Sequence, residues 1–174
     1  MTELDAVEAL AASIPATPWF TRVGRPLSDS DRTDVTAYVA ALDLAAGPVE
    51  PVATWREASR VAADPDWDRR WWQAAAREQR RLQAWAEERH GTQVTLAALT
   101  RVTEAALDPT RAAAEAASDE ALSKVAAGAA AQVCHLAALA LAAGRPAHGF
   151  VIKHRIFAAG RWPLGRVGER WYLF

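Results

Sequence analysis

A chain of 174 residues can bury roughly two thirds of the surface its unfolded form exposes, so it needs no disulfide or metal to hold a core. With 51% hydrophobic and 24% charged residues it is neither disordered nor fibrous, and a net charge of −1 argues against wholesale attraction to nucleic acid or an anionic membrane. The lone Cys134 excludes an intrachain disulfide and a multi-cysteine zinc site.

About a quarter of the residues are Ala, and 8 are Trp. Ala favours helix because it loses no side-chain entropy there, and its small volume leaves gaps that indole rings can fill. The first residues, Met1-Thr2-Glu3-Leu4-Asp5, are acidic where a secretory signal would be basic and then apolar, and Asn is absent. These features set the expectation of a cytoplasmic protein.

In chain order, Thr2 can cap a first helix whose apolar face is Leu4, Val7, Leu10, Ala11 and Ile14, ended by Pro15. Residues 15–27 carry the breakers Pro15, Pro18, Gly24 and Pro26 around Trp19-Phe20 and read as irregular. A second helix opens at Ser28, with the stripe Val35, Tyr38, Val39 and Leu42; Gly47-Pro48 and Pro51 read as a linker. Thr54-x-x-Glu57 fits a capping box for a brief third helix. Asp64-Pro65 predicts the start of a fourth, running to about His90 and stopped by Gly91, with Trp67, Trp71, Ala75, Leu82 and Trp85 on one side.

A fifth helix is expected through Leu96, Leu99, Thr103 and Leu107, closed by Asp108-Pro109, with a short Ala-rich turn or a helical stretch from Pro109 to Ala117 after it. Ser118 then reads as the cap of a long Ala-rich helix to about Ala143, stopped by Gly144. From Ala121 to Ala143 its only charge is Lys124, so it is expected to be surrounded by neighbours rather than to span a membrane. Residues 149–159 fit either a helix or a strand; we take the helix, then a turn at Trp162-Pro163-Leu164-Gly165 and a hairpin or extended cover. The expected fold is all-α, one domain over 1–174: a bundle of five or six helices with a basic, aromatic tail (146–174) packed on it.

Six residues are candidate ligand-binding positions: Glu78, His135, His148, Lys153, Arg161 and Trp162. Glu78 falls inside the Trp stripe of the fourth helix, where apolar rings would raise a carboxyl pKa; pairing with an arginine is the competing explanation. His135 shares a helix face with Gly128, Ala131 and Ala142, which leaves room for a ligand or a neighbouring helix. Glu87-x-x-His90 has the spacing of carboxylate-bridged metal sites but lacks a second copy, and the set His135, His148 and His154 has no neighbour spacing. Gly160-x-x-x-x-Gly165 lacks the Lys and Ser/Thr of a phosphate loop, and no dinucleotide fingerprint or nucleophile elbow occurs. No metal and no cofactor is therefore expected, and no catalytic residue can be assigned.

Three functional classes follow. The first is a non-enzymatic interaction or regulatory protein that self-associates or binds a protein partner through a Trp-rich surface. The second is a binding protein or enzyme with a pocket between the central helix and the tail, suited to an anionic small molecule. The third is a nucleic-acid binder using Arg155, Arg161, Trp162, Arg166, Arg170 and Trp171, against which the same residues can dock the basic tail on the acidic bundle.

Overall fold

The computed structural model describes residues 2–118 and 121–174. It is an all-α fold, 67% helical, with seven helices and a three-stranded sheet at the C-terminal end. The helices are α1 (Glu3–Ser13), α2 (Asp29–Ala41), α3 (Trp55–Ala62), α4 (Arg69–His90), α5 (Thr92–Ala117), α6 (Leu122–Ala142) and α7 (Gly149–Ala158). The strands are β1 (Val49–Pro51), β2 (Pro163–Val167) and β3 (Arg170–Leu173), in the order β1-β3-β2, with β1 parallel and β2 antiparallel to β3.

The helix starts follow capping chemistry. Thr2 and Ser28 each accept a hydrogen bond from the backbone N–H three residues on, while Asp5 and Asp31 accept from the caps' own N–H groups. Thr54 accepts from the Glu57 N–H, and the His148 ring accepts from the Phe150 N–H to start α7. His148 Nδ1 is therefore an acceptor, which puts the ring proton on Nε2.

Five expectations are corrected. Helix α4 begins four residues later than Asp64-Pro65 suggests, because Asp68 is its cap. The Asp68 N–H donates to the Arg166 carbonyl and Trp67 bridges to Val167, so β2 holds residues 64–68 out of helix. Helix α5 does not stop at Asp108-Pro109 but continues to Ala117; Ala106, Thr110 and Ala114 stay buried along one face, and the Thr110 hydroxyl bonds back to the Ala106 carbonyl. Packing against α6 outweighs the single hydrogen bond that proline removes. Ser118 closes α5 instead of capping α6; residues 119 and 120 lie outside the described part. The linker around Pro48 contains β1, and the supposed turn at 162–165 is the start of β2, with a bulge at Gly165 and the actual turn at Gly168-Glu169.

Helix α6 packs against α1, α4, α5 and α7. Its second half is enclosed: Val133, Cys134, Leu136 to Ala140, Ala142 and the following Ala143 are buried. The first half is not, since Lys124, Val125, Gly128 and Gln132 are exposed. Among the described residues α6 is the one helix long and apolar enough to cross a membrane, with a mean hydropathy of 1.7, and 56% of its most apolar stretch is buried inside the fold. The Trp residues fill the spaces that Ala leaves. Trp19, Trp71, Trp162 and Trp171 are buried, Trp55, Trp67 and Trp85 are half-buried, and Trp72 is 60% exposed.

Candidate functional site

A cavity of about 650 Å³ opens between α4, α6, α7 and the first residues of β2, a size that suits a small organic ligand. Its aromatic wall is Tyr38, Trp67, Trp71, Trp72, Phe150, Phe157 and Trp162. The wall is built by local rules. Phe150, Lys153 and Phe157 are spaced to share one face of α7, and all three line the cavity. Trp67 stacks on Trp71 with ring centres 5.7 Å apart and planes at 20°.

Both indoles lie against Gly165 in the β2 bulge. A Cβ there would stand 2.5 Å from Trp71 and closer still to Trp67, and the backbone φ of +141° is one that L side chains rarely adopt. The stack is held from its other end as well. Arg166 meets Asp68 at 3.1 Å in a buried ion pair, and the Trp67 indole N–H donates to the Ala62 carbonyl. Burial works against the Asp68 charge. Hydrogen bonds from Arg70 and the charges of Arg70 and Arg166 outweigh it and hold the carboxyl below its usual range.

Lys153 is the one cation on the cavity wall. It is half-buried, and its ammonium lies 5.3 Å from the centre of the Trp71 ring and 5.7 Å from that of Tyr38. Among the described residues no carboxylate comes within ion-pair distance of it. Burial alone brings its pKa down to about 8. Tyr38 accepts the Trp71 indole hydrogen at 2.9 Å, and its own burial pushes the phenol pKa up, so it stays protonated. The cavity thus offers aromatic faces, one unpaired cation and a neutral phenol.

Of the six candidate residues, the structure brings only Lys153 and Trp162 to this cavity. Glu78 and His148 meet each other elsewhere: the His148 Nε2–H faces the Glu78 carboxylate at 3.3 Å, and Arg81 lies 3.6 Å from the same carboxylate. Glu78 therefore sits among polar partners, as the competing explanation has it. His135 lies in the α5–α6 seam, where its Nδ1 is 3.2 Å from the Thr103 hydroxyl; because that hydroxyl donates to the Leu99 carbonyl, the ring is the donor. Burial lowers the His135 pKa. A separate cleft of about 280 Å³ lies around Gly128 and Thr110, where small side chains leave space between α5 and α6 unfilled.

Arg161 is buried away from the cavity and works as a staple. Its guanidinium donates to the carbonyls of Arg22, Arg25 and Pro26 and to Asp31 at 3.0 Å, tying the irregular segment to the C-terminal end of α7. The other tail arginines are likewise engaged within the chain: Arg155 with Asp34, Arg166 with Asp68 and Arg170 with Glu50. His90 bonds to the Ala142 carbonyl and Glu87 to Gln83, while His154 packs against Trp19. No group of three potential metal ligands forms among the described residues. Cys134 is buried, and desolvation pushes its thiol up to about 12, far from a reactive thiolate.

Sequence reasoning missed Trp71, Trp67 and Tyr38 as cavity residues, and Gly165 as the residue the indole stack rests on. The Trp67–Trp71 spacing signalled a common face, but nothing local signals that Tyr38 and Lys153 meet. The fold and site together define a helical protein with an aromatic cavity served by one unpaired lysine. No family model matches the chain, and neither a curated protein nor a solved structure is similar to it.

Proposed function

We propose that this chain is a cytoplasmic small-molecule binding protein whose cavity takes an apolar, aromatic-sized carboxylate, with Lys153 as its counter-ion. The observation that carries the reading is the unpaired Lys153 ammonium among aromatic rings. A cation taken out of water without a partner is a cost to the folded state, and an anion bound in the cavity offsets it. The rings of Trp67, Trp71 and Trp162 supply apolar contact, and the Tyr38 hydroxyl supplies a hydrogen-bond donor. No catalytic step is part of this reading.

The test is a titration with 2-naphthoate followed by tryptophan fluorescence. Saturable one-to-one quenching in the wild type, weakened at least tenfold in Lys153→Met, is expected. Equal binding by the variant would overturn it.

A second reading keeps one specific observation. Trp72 is 60% exposed beside the exposed Val125 at the cavity mouth, a small apolar surface on which a protein partner or second copy could rest. Light scattering on the eluting protein separates the two, since a monomer at high concentration removes support for self-association.

A further inference from the structure

The same lysine can do more than attract charge. We propose that the Lys153 amine is a nucleophile that captures an apolar aldehyde or ketone in the cavity as an imine, an inference that rests on the binding reading above.

Three observations carry it. Lys153 lines a cavity large enough for a bicyclic aromatic carbonyl compound, with its Nζ over the rings of Trp71 and Tyr38 that line it too. Around it, α2 contributes Tyr38, α4 contributes Trp71 and Gln79, and α6 contributes Gln132, so of the residues lining the cavity only Lys153 and Tyr38 titrate. Among the described residues, therefore, no carboxylate holds the proton on the amine. The wall is also aromatic and partly closed, which favours a carbonyl compound carrying an apolar group over a hydrated one.

The step balances without an oxidant or reductant. The neutral nitrogen lone pair attacks the carbonyl carbon, forming the C–N bond while the C=O π pair moves to oxygen. Nitrogen then loses its protons as the oxygen leaves as water, and the products are an imine and one water. The reactive species is the neutral amine. With a pKa of about 8, roughly 9% of Lys153 is neutral at pH 7, against about 0.03% of an ordinary lysine, a ratio on the order of 300.

The chain carries its own control, because Lys124 and Lys153 are its only lysines and Lys124 is exposed on α6. The experiment treats the whole protein at pH 7 with 2-naphthaldehyde and sodium cyanoborohydride, then measures by peptide mass spectrometry the rate of adduct formation at each lysine. A Lys153 adduct forming about 100-fold faster than that at Lys124, and slowed by excess 2-naphthoate, is expected. If 2-naphthoate quenches tryptophan fluorescence but Lys153 reacts no faster than Lys124, imine capture falls and the binding reading stands. If neither compound binds, both fall. A fast Lys153 adduct that 2-naphthoate does not slow, although 2-naphthoate binds, also overturns the proposal, because the reaction then occurs outside the cavity.

Discussion

The Lys153 ammonium stands 5.3 Å from the centre of the Trp71 ring, and among the described residues no carboxylate is within ion-pair distance of it. The attraction of the ring face offsets part of the desolvation, on the order of 1 kcal/mol, and leaves the rest as a penalty on the ligand-free fold. Lys153→Met should therefore stabilise the protein by about 1–3 kcal/mol at pH 7 in chemical denaturation. The sign of the pH dependence follows. The folded pKa of about 8 lies below the ordinary lysine value of 10.5, so the unfolded chain binds more protons between them, and the wild type gains stability as pH rises through that window. The gap between variant and wild type should be full below pH 8 and narrow towards pH 10. A gap independent of pH would show that Lys153 is solvated.

Gly165 is where the indole stack meets the sheet. Gly165→Ala forces a side chain against Trp67 and Trp71 and strains a φ of +141°. We expect a loss of about 2–4 kcal/mol and a changed tryptophan emission, because the stack must move or β2 must shift. An unchanged melting temperature would mean the bulge relaxes at no cost.

His154 is half-buried against Trp19, and its Nε2 is itself buried without a hydrogen-bond partner. Desolvation lowers its pKa from 6.5 to about 4. Over that interval the unfolded chain binds the extra proton, so acid destabilises the wild type as pH falls from 6.5 towards 4. His154→Phe should remove this dependence, on the order of 1–3 kcal/mol across the window. Asp31 and Asp68, whose carboxyl pKa values are held low by hydrogen bonds and arginines against the pull of burial, lose their contributions only at lower pH and do so in both proteins. The difference curve therefore isolates His154. Parallel curves from pH 6.5 to 4 would contradict its buried neutral state.

Arg161→Lys tests whether the buried guanidinium is a staple or part of the ligand site. An ammonium cannot reach three carbonyls and Asp31 together, so a loss of about 2–4 kcal/mol is expected. The affinity of the folded fraction for 2-naphthoate should be unchanged. A tenfold fall in affinity without a loss of stability would move Arg161 into the site.

Much of the local structure could be read from the residues alone. Thr2, Ser28 and Thr54 start their helices by accepting neighbouring N–H groups, and Gly91 and Gly144 follow helix ends at positive φ. The Ala-rich run before Gly144 could be read as a helix packed among others, which holds for its second half but not for its exposed first half. These features are legible because capping and helical periodicity act within a few residues.

Only the tertiary structure decided the rest. The Asp68 N–H bond to Arg166 delays α4, packing of α5 on α6 carries it past Pro109, and pairing with β3 turns the segment around Pro51 into a strand. Each is a long-range contact that outweighs a local preference. The cavity has the same origin. Tyr38, Trp71 and Lys153 come from three helices far apart in the chain, and the distances that make the lysine unusual exist only once those helices pack. Side-chain spacing can show which face a residue shares with its own helix; it carries no information about which rings another helix will bring to it, or whether a carboxylate will be among them.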